Sequence, residues 1–394
     1  MNRNLWLMVF AQGLFLTNNV VFIAINGLVG LALAPLGWMA TLPVMGYVLG
    51  GALTTGLAAR MQAQWGRQRS FQTGLLVALL SALVCFYAAV TRNFYVLCVA
   101  TVVAGYYNAN AQLYRFAAAE LVSPEAQKTG GKEKAVSWVL AGGLIGAIAG
   151  PNLAAATRSL MDVPFAAAYL ALAGVALVGL VVMAFVQFPP VAAKTSAGTG
   201  RPLAVIMRQP VFIVAAAAGA LCYGVMNLLM AATPIAMQQC GLPFSDAAFV
   251  LQWHVIGMFA PGFFTGHLIK RFGALAVMGV GVVLMLLCVV IALSGIELHQ
   301  FLVALFLLGL GWNFLFTGST TLALEAFEPA EKDKAQAALN FFVFATLALS
   351  SFASGALVTT KGWDLLNYGS LLPIAATGAA LWWLAQQRKA AQNA

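Results

Sequence analysis

Apolar runs long enough to cross a bilayer recur along the whole chain, and no other feature limits its fold so strongly. A spanning helix needs roughly 20 consecutive apolar residues. Twelve such runs lie between charged or Gly/Pro-rich breaks, at approximately 5–30, 34–60, 71–91, 94–119, 134–156, 164–187, 210–238, 245–269, 273–294, 300–326, 335–359 and 365–387. Only 8% of the 394 residues are charged and 62% are hydrophobic, whereas a soluble domain carries about 25% charged residues. Barrel strands would be shorter and would alternate every second residue. The sequence therefore predicts an all-α membrane protein with twelve transmembrane helices, and it excludes secreted enzymes, nucleic-acid modules and disordered tails.

The polar stretch between Pro189 and Pro210 is too poor in apolar residues to cross, and it divides the spans six and six. This predicts an N-terminal bundle over 1–188, a cytoplasmic linker over 189–209 and a C-terminal bundle over 210–394. The net charge of +9 is a topology signal. Arg3, Arg67, Arg69, Lys128, Lys132, Lys134, Lys194, Lys270, Arg271 and Arg388 sit at the chain ends or after even-numbered spans, whereas Arg92, Arg158 and Lys361 alone follow odd-numbered ones. The positive-inside rule then places both termini in the cytoplasm, with the chain multi-pass in a lipid bilayer. Such a placement leaves no footprint for nucleic acid. The first apolar run is long enough to remain as a span rather than be cleaved.

The halves read as repeats. Asn108, Glu120 and Pro124 of span 4 recur 205 positions later as Asn313, Glu325 and Pro329 of span 10. Trp65-Gly66-Arg67 after span 2 is echoed by Lys270-Arg271-Phe272-Gly273 after span 8. Two parallel six-helix repeats are a layout of secondary transporters that rock about a central site. On these residues the chain resembles the major facilitator superfamily over nearly its whole length. That superfamily typically carries Gly-x-x-x-Asp-Arg-x-Gly-Arg after span 2. Here Gly66, Arg67 and Arg69 survive in the first copy, with Ala63 and Gln64 at the Asp and Arg places, and the second keeps Gly266, Arg271 and Gly273 with Lys270 at the acidic place. Ala149-Gly150-Pro151 matches the superfamily's Gly-Pro element. The resemblance implies alternating access, with a gating loop whose acidic residue is missing.

Polar groups deep in a bilayer are costly and usually functional. No carboxylate lies in the middle of a span, so a buried acidic proton relay is not expected. Arg115 is read as snorkelling or as an intrahelical partner of Glu120. In span 7, Cys222, Met226 and Met230 recur every four residues, and in span 8 so do His254 and Met258, which places each set on one helix face. The two spans join through Cys240-Gly241-Leu242-Pro243-Phe244, and both Met230/His254 and Met226/Met258 lie symmetrically about Leu242. An antiparallel hairpin thus brings three thioethers and an imidazole to neighbouring depths. Uncharged sulfur is a soft ligand that selects Cu(I) over hard cations; Zn²⁺ would want thiolate, imidazole or carboxylate. Packing is the competing explanation for the methionines. The histidine discriminates, because the others, His267 and His299, lie at a loop and an external segment.

Met226-x-x-x-Met230 followed by His254-x-x-x-Met258 resembles the signature of CcoA-type copper importers, a branch of the superfamily related to riboflavin importers. The resemblance implies Met226, Met230, His254 and Met258 as copper ligands. It further implies Cys222 and Cys240 as accessory thiols, a copper ion or chelate as cargo, cytoplasmic thiol reductants or copper chaperones as recipients, and a supply of copper for haem–copper oxidase assembly. The expectation is a monomeric Cu(I) importer with no prosthetic group and no constellation for covalent catalysis; no P-loop sequence occurs. Two alternatives stand beside it. One is an importer of riboflavin or another small organic solute, for which Tyr106, Tyr107, Trp253 and Trp312 would stack on the cargo, and Asn18, Asn108 and neighbouring amides would line the cavity. The other is a non-transporting receptor or assembly factor.

Overall fold

The breaks in the apolar pattern decide where the helices end. In this computed structural model the residues described are 2–122, 131–189, 200–328 and 331–393; Pro124, Lys128, Lys194, Pro329 and most of the expected linker lie outside them. The helices are α1 (Arg3–Leu33), α2 (Leu42–Trp65), α3 (Arg67–Val90), α4 (Phe94–Ala111), α5 (Tyr114–Glu120), α6 (Gly131–Ala141), α7 (Gly143–Thr157), α8 (Ala166–Ala184), α9 (Leu203–Met207), α10 (Pro210–Gln239), α11 (Phe244–Phe259), α12 (Gly262–Phe272), α13 (Ala274–Ala292), α14 (Leu298–Ala323), α15 (Lys332–Thr360) and α16 (Gly362–Asn393). Among the described residues there is no strand.

All twelve apolar runs become helix, but not twelve unbroken rods. Among the described residues ten helices are long and apolar enough to cross a membrane, and α11 with α12, bent by 41° at their break, brings the number to eleven if the pair is one span. Its break falls at Ala260-Pro261, where proline removes a backbone donor. The fourth run differs from expectation: it divides into α4 and α5 at Gln112-Leu113, and the last turns of α4 carry Tyr106, Tyr107, Asn108 and Asn110 in place of aliphatic residues.

Capping fits the sequence. Asn2 and Asn93 accept from the amides of Leu5 and Val96, at 2.9 and 3.1 Å, which satisfies orphan donors at the starts of α1 and α4. Glu297 and Gln300 form a capping box on α14. The motif glycines have a backbone reason. Gly66 joins α2 to α3 with φ 83°, and Gly273 joins α12 to α13 with φ 84°, a region that side chains disfavour.

The chain forms two compact units. The first comprises Met1–Ala192 with Met237–Gln252, and the second Ala193–Ala236 with Trp253–Ala394. In the first, α7 lies along α1 through Gly142, Gly146 and Gly150. A Cβ at these positions would stand 2.2 Å from Val9 O, 2.4 Å from Leu16 Cβ and 2.9 Å from Val20 Cβ. A small residue every four positions lets two helix backbones approach; this stripe is what the Gly-Pro element contributes. Also within this unit, Phe244 at the start of α11 meets Phe165 edge-on at 4.8 Å. In the second unit, Asn227 of α10 donates to Ser350 and Ser351 of α15 at 2.9 and 2.8 Å.

Candidate functional site

His254, Met226, Met230 and Met258 all belong to the second unit, and all are buried: His254 is 0% exposed and the methionines 2, 7 and 7%. Helix α14 lies against His254 and Met258. A Cβ at Gly309 would stand 2.4 Å from His254 O and 2.9 Å from Met258 N, so the absence of a side chain there lets α11 lie against α14. Asn313 donates to Met258 O at 2.7 Å and accepts from the Thr265 hydroxyl at 2.6 Å. His254 Nδ1 lies 2.7 Å from Leu305 O. A carbonyl only accepts, so Nδ1 carries the proton and Nε2 of the neutral ring presents a lone pair. Among the described residues, buried Nε2 finds no partner.

The methionines of α10 share the side turned to α14. Tyr223 of α10 meets Trp312 of α14 edge-on at 5.1 Å and Phe316 at 5.2 Å. At 100° per residue, Met226 and Met230 lie about 60° and 20° from Tyr223 around the helix. Trp312 and Phe316, four residues apart, stack at 5.1 Å with 9° between their planes, and Phe259 closes on Trp312 at 6.3 Å. Trp312 is 6% exposed, yet among the described residues its Nε1–H finds no partner. Tyr223, Phe259 and Phe316 are half-buried, so this aromatic cluster borders accessible space.

Other expectations divide. Asn26 accepts from Tyr169 OH at 2.8 Å, and Asn110 accepts from the Ser70 hydroxyl at 2.9 Å; these amides tie helices together. Asn18 is buried, and Asn108 accepts from Gln112 at 3.5 Å. Trp253 is exposed, with its ring 6.2 Å from Phe306. Cys222 is buried and its thiol donates to Gly219 O at 3.3 Å, while Cys240 is half-buried; among the described residues no disulfide joins any cysteines. Among the described residues no three His, Cys, Asp or Glu side chains gather to hold a metal ion, so a metal centre here would rest on thioethers.

The charged ends correct one expectation and complete another. Glu120 pairs with Arg67 at 2.5 Å, and Arg67 also donates to Gln62. Glu120 therefore has an interhelical partner in Arg67, while the Arg115 guanidinium lies over the Phe116 ring at 4.8 Å. A motif without its Asp still ends in an ion pair. In the second copy, Glu325 pairs with Arg388 at 2.5 Å, and Arg271 lies over Phe272 at 5.1 Å.

Sequence reasoning missed three features. Arg201 grips the buried Glu331 carboxylate with side chain and backbone at 2.6–2.9 Å, and that grip holds the Glu331 carboxyl down at about 2. The Leu305 carbonyl was invisible, since every residue has one. The Trp312–Phe316 stack was legible as two aromatics four apart on one helix.

The profile of the Major Facilitator Superfamily matches residues 5–260 and 216–394. The riboflavin transporter RfnT of Brucella anthropi is 39% identical over 369 residues, which covers 93% of this chain and 92% of that protein. The uncharacterized MFS-type transporter YdeG of Bacillus subtilis is 26% identical, over 87% of this chain and 83% of its own length. Among solved structures, a bacterial metal transporter matches with a TM-score of 0.69 at 14% identity, covering 98% of this chain and 99% of its own. The identity to the solved structure speaks for the fold alone. Bilayer-length helices, a duplicated loop motif with Gly66 and Gly273 in the left-handed region, and a family profile spanning both halves agree: this integral membrane protein belongs to the major facilitator superfamily.

Proposed function

We propose that this chain imports riboflavin or a closely related flavin across the bacterial cytoplasmic membrane by alternating access. The observation that carries the reading is the 39% identity to a riboflavin transporter along 93% of the chain. The half-buried rings around Trp312 support it, because a flat conjugated cargo gains most from stacking and edge-on aromatic contacts. In this reading both termini and the 189–209 linker face the cytoplasm, the protein works as a monomer, and no covalent step accompanies transport. The test is rescue and uptake: expressed in cells that cannot make riboflavin, the protein restores growth on low external flavin. No rescue by a membrane-inserted protein contradicts the proposal.

Copper import is the second reading, and it rests on His254. A ligating imidazole usually donates its other N–H to a carbonyl or carboxylate, as Nδ1 does to Leu305 O, and Nε2 is left with its lone pair in the unit that also buries Met226, Met230 and Met258. Cu(I) is then the cargo. The doubly substituted Met226→Leu, Met258→Leu protein separates the readings: copper import requires its copper accumulation to collapse, whereas flavin import predicts normal flavin uptake.

A further inference from the structure

Three buried side-chain polar atoms of the second unit are unpaired among the described residues, His254 Nε2, Trp312 Nε1 and Asn367 Oδ1, and the chemistry of the first two is complementary. Trp312 Nε1–H is a donor and His254 Nε2 an acceptor, and among the described residues neither has a hydrogen-bond partner. A buried indole N–H usually finds one, and an orphaned buried polar atom costs free energy that a ligand can recover. The two mark different places along α14. His254 bonds Leu305 O through Nδ1 while its own carbonyl lies against Gly309, and Trp312 stands three residues beyond Gly309, roughly 4.5 Å further along α14 at 1.5 Å per residue. The surroundings differ as well. Trp312 stands among the Tyr223, Phe259 and Phe316 rings, while His254 rests on the α11–α14 crossing at Gly309.

We infer that this site reads its cargo at two ends: Trp312 donates to an acceptor on a flat heteroaromatic head seated against the aromatic cluster, and His254 Nε2 accepts from a hydroxyl on the cargo's polyol tail. The rings about Trp312 suit a conjugated head, and the helix crossing that holds His254 has no such stack and suits a hydroxylated tail. This deepens the flavin reading and rests on it. The role of Trp312 is to fix the head, and that of His254 is to distinguish a cargo with a tail from one without. Both atoms are sealed in this structure; alternating access uncovers such a site during the cycle.

The test is riboflavin uptake into proteoliposomes, with lumiflavin, the same tricycle carrying a methyl in place of the tail, as competitor. Trp312→Phe keeps the stack and removes the donor; it raises the half-saturation for riboflavin and the inhibitory concentration of lumiflavin together, each about tenfold. His254→Asn keeps an N–H for Leu305 O and removes the Nε2 acceptor; it weakens riboflavin about tenfold and leaves lumiflavin inhibition unchanged. Unchanged half-saturation in Trp312→Phe, or an equal effect of His254→Asn on both flavins, overturns the two-ended recognition while flavin transport stands. A wild-type protein that takes up no riboflavin removes the flavin reading, and this inference falls with it.

Discussion

The α2–α4 crossing of the first unit and the α11–α14 crossing of the second rest on the same contact. A Cβ at Gly105 of α4 would stand 2.4 Å from Gly51 N and 2.5 Å from Tyr47 O; one at Gly309 of α14 would stand 2.9 Å from Met258 N and 2.4 Å from His254 O. Tyr47 and Gly51 therefore occupy the places of His254 and Met258. In the first unit the place is filled for packing, with Tyr47 stacked on Phe22 at 4.8 Å and Gly46, Gly50 and Gly51 all tight against α4. In the second it holds an imidazole fixed by a carbonyl and a thioether. The duplicated backbone contact builds the fold, and the side chains that diverged on top of it carry the chemistry.

The largest expected effects fall on what the crossings share. Gly105→Ala and Gly309→Ala each force a Cβ into backbone atoms, and each should cost about 2–3 kcal/mol, read as a lowered melting temperature in detergent; tolerance at either position breaks the equivalence. The next test separates the crossings by function. His254→Ala should lower transport at least about tenfold, while Tyr47→Phe, which removes a hydroxyl without a partner among the described residues, should stay within about twofold of wild type in the same uptake assay.

A smaller asymmetry concerns the paired asparagines. Asn313→Ala strands Met258 O and leaves the Thr265 hydroxyl to Pro261 O alone, and should cost about 1–3 kcal/mol, whereas Asn108→Ala loses one long contact to Gln112 and should cost under about 1 kcal/mol. Thermal unfolding of the two variants ranks them. Smallest is a pH effect on the charged ends. Glu331 titrates at about 2 in the fold, against 4.5 for an ordinary glutamate, so the stabilisation from the Arg201 grip is complete above about pH 4.5 and lost as pH falls toward 2. The melting temperature of the wild type should drop through that window more steeply than that of Glu331→Gln. The more exposed Glu325–Arg388 pair should matter little at any pH, and Arg388→Ala should shift stability by less than about 1 kcal/mol.

Much of the fold was legible because membrane insertion writes itself into composition: each apolar run became helix, the repeat offset marked Asn313 and Glu325, and the echoed loop motif marked Gly273. The broken fourth span was hidden because Tyr106 and Tyr107 count as apolar while Asn108 and Asn110 interrupt only one end. The partner of Glu120 was misread because Arg115 is near in sequence, whereas Arg67 arrives through the turn at Gly66. At the site, His254 and the methionines stood out by spacing. Their setting did not, since it depends on a bare Gly309 and on the Leu305 carbonyl, which no residue pattern announces. Cargo was the least legible property: an imidazole buried in the same unit as three thioethers suits Cu(I), while the stacked rings of Trp312 and Phe316 suit a flavin.

Paired uptake by proteoliposomes containing the purified wild-type protein tests the central claim most directly, with riboflavin and Cu(I) offered separately. Saturable riboflavin accumulation that weakens in Trp312→Phe, with copper entry at the level of empty vesicles, is the outcome expected here. Copper accumulation abolished by His254→Ala, with no entry of flavin, would contradict it.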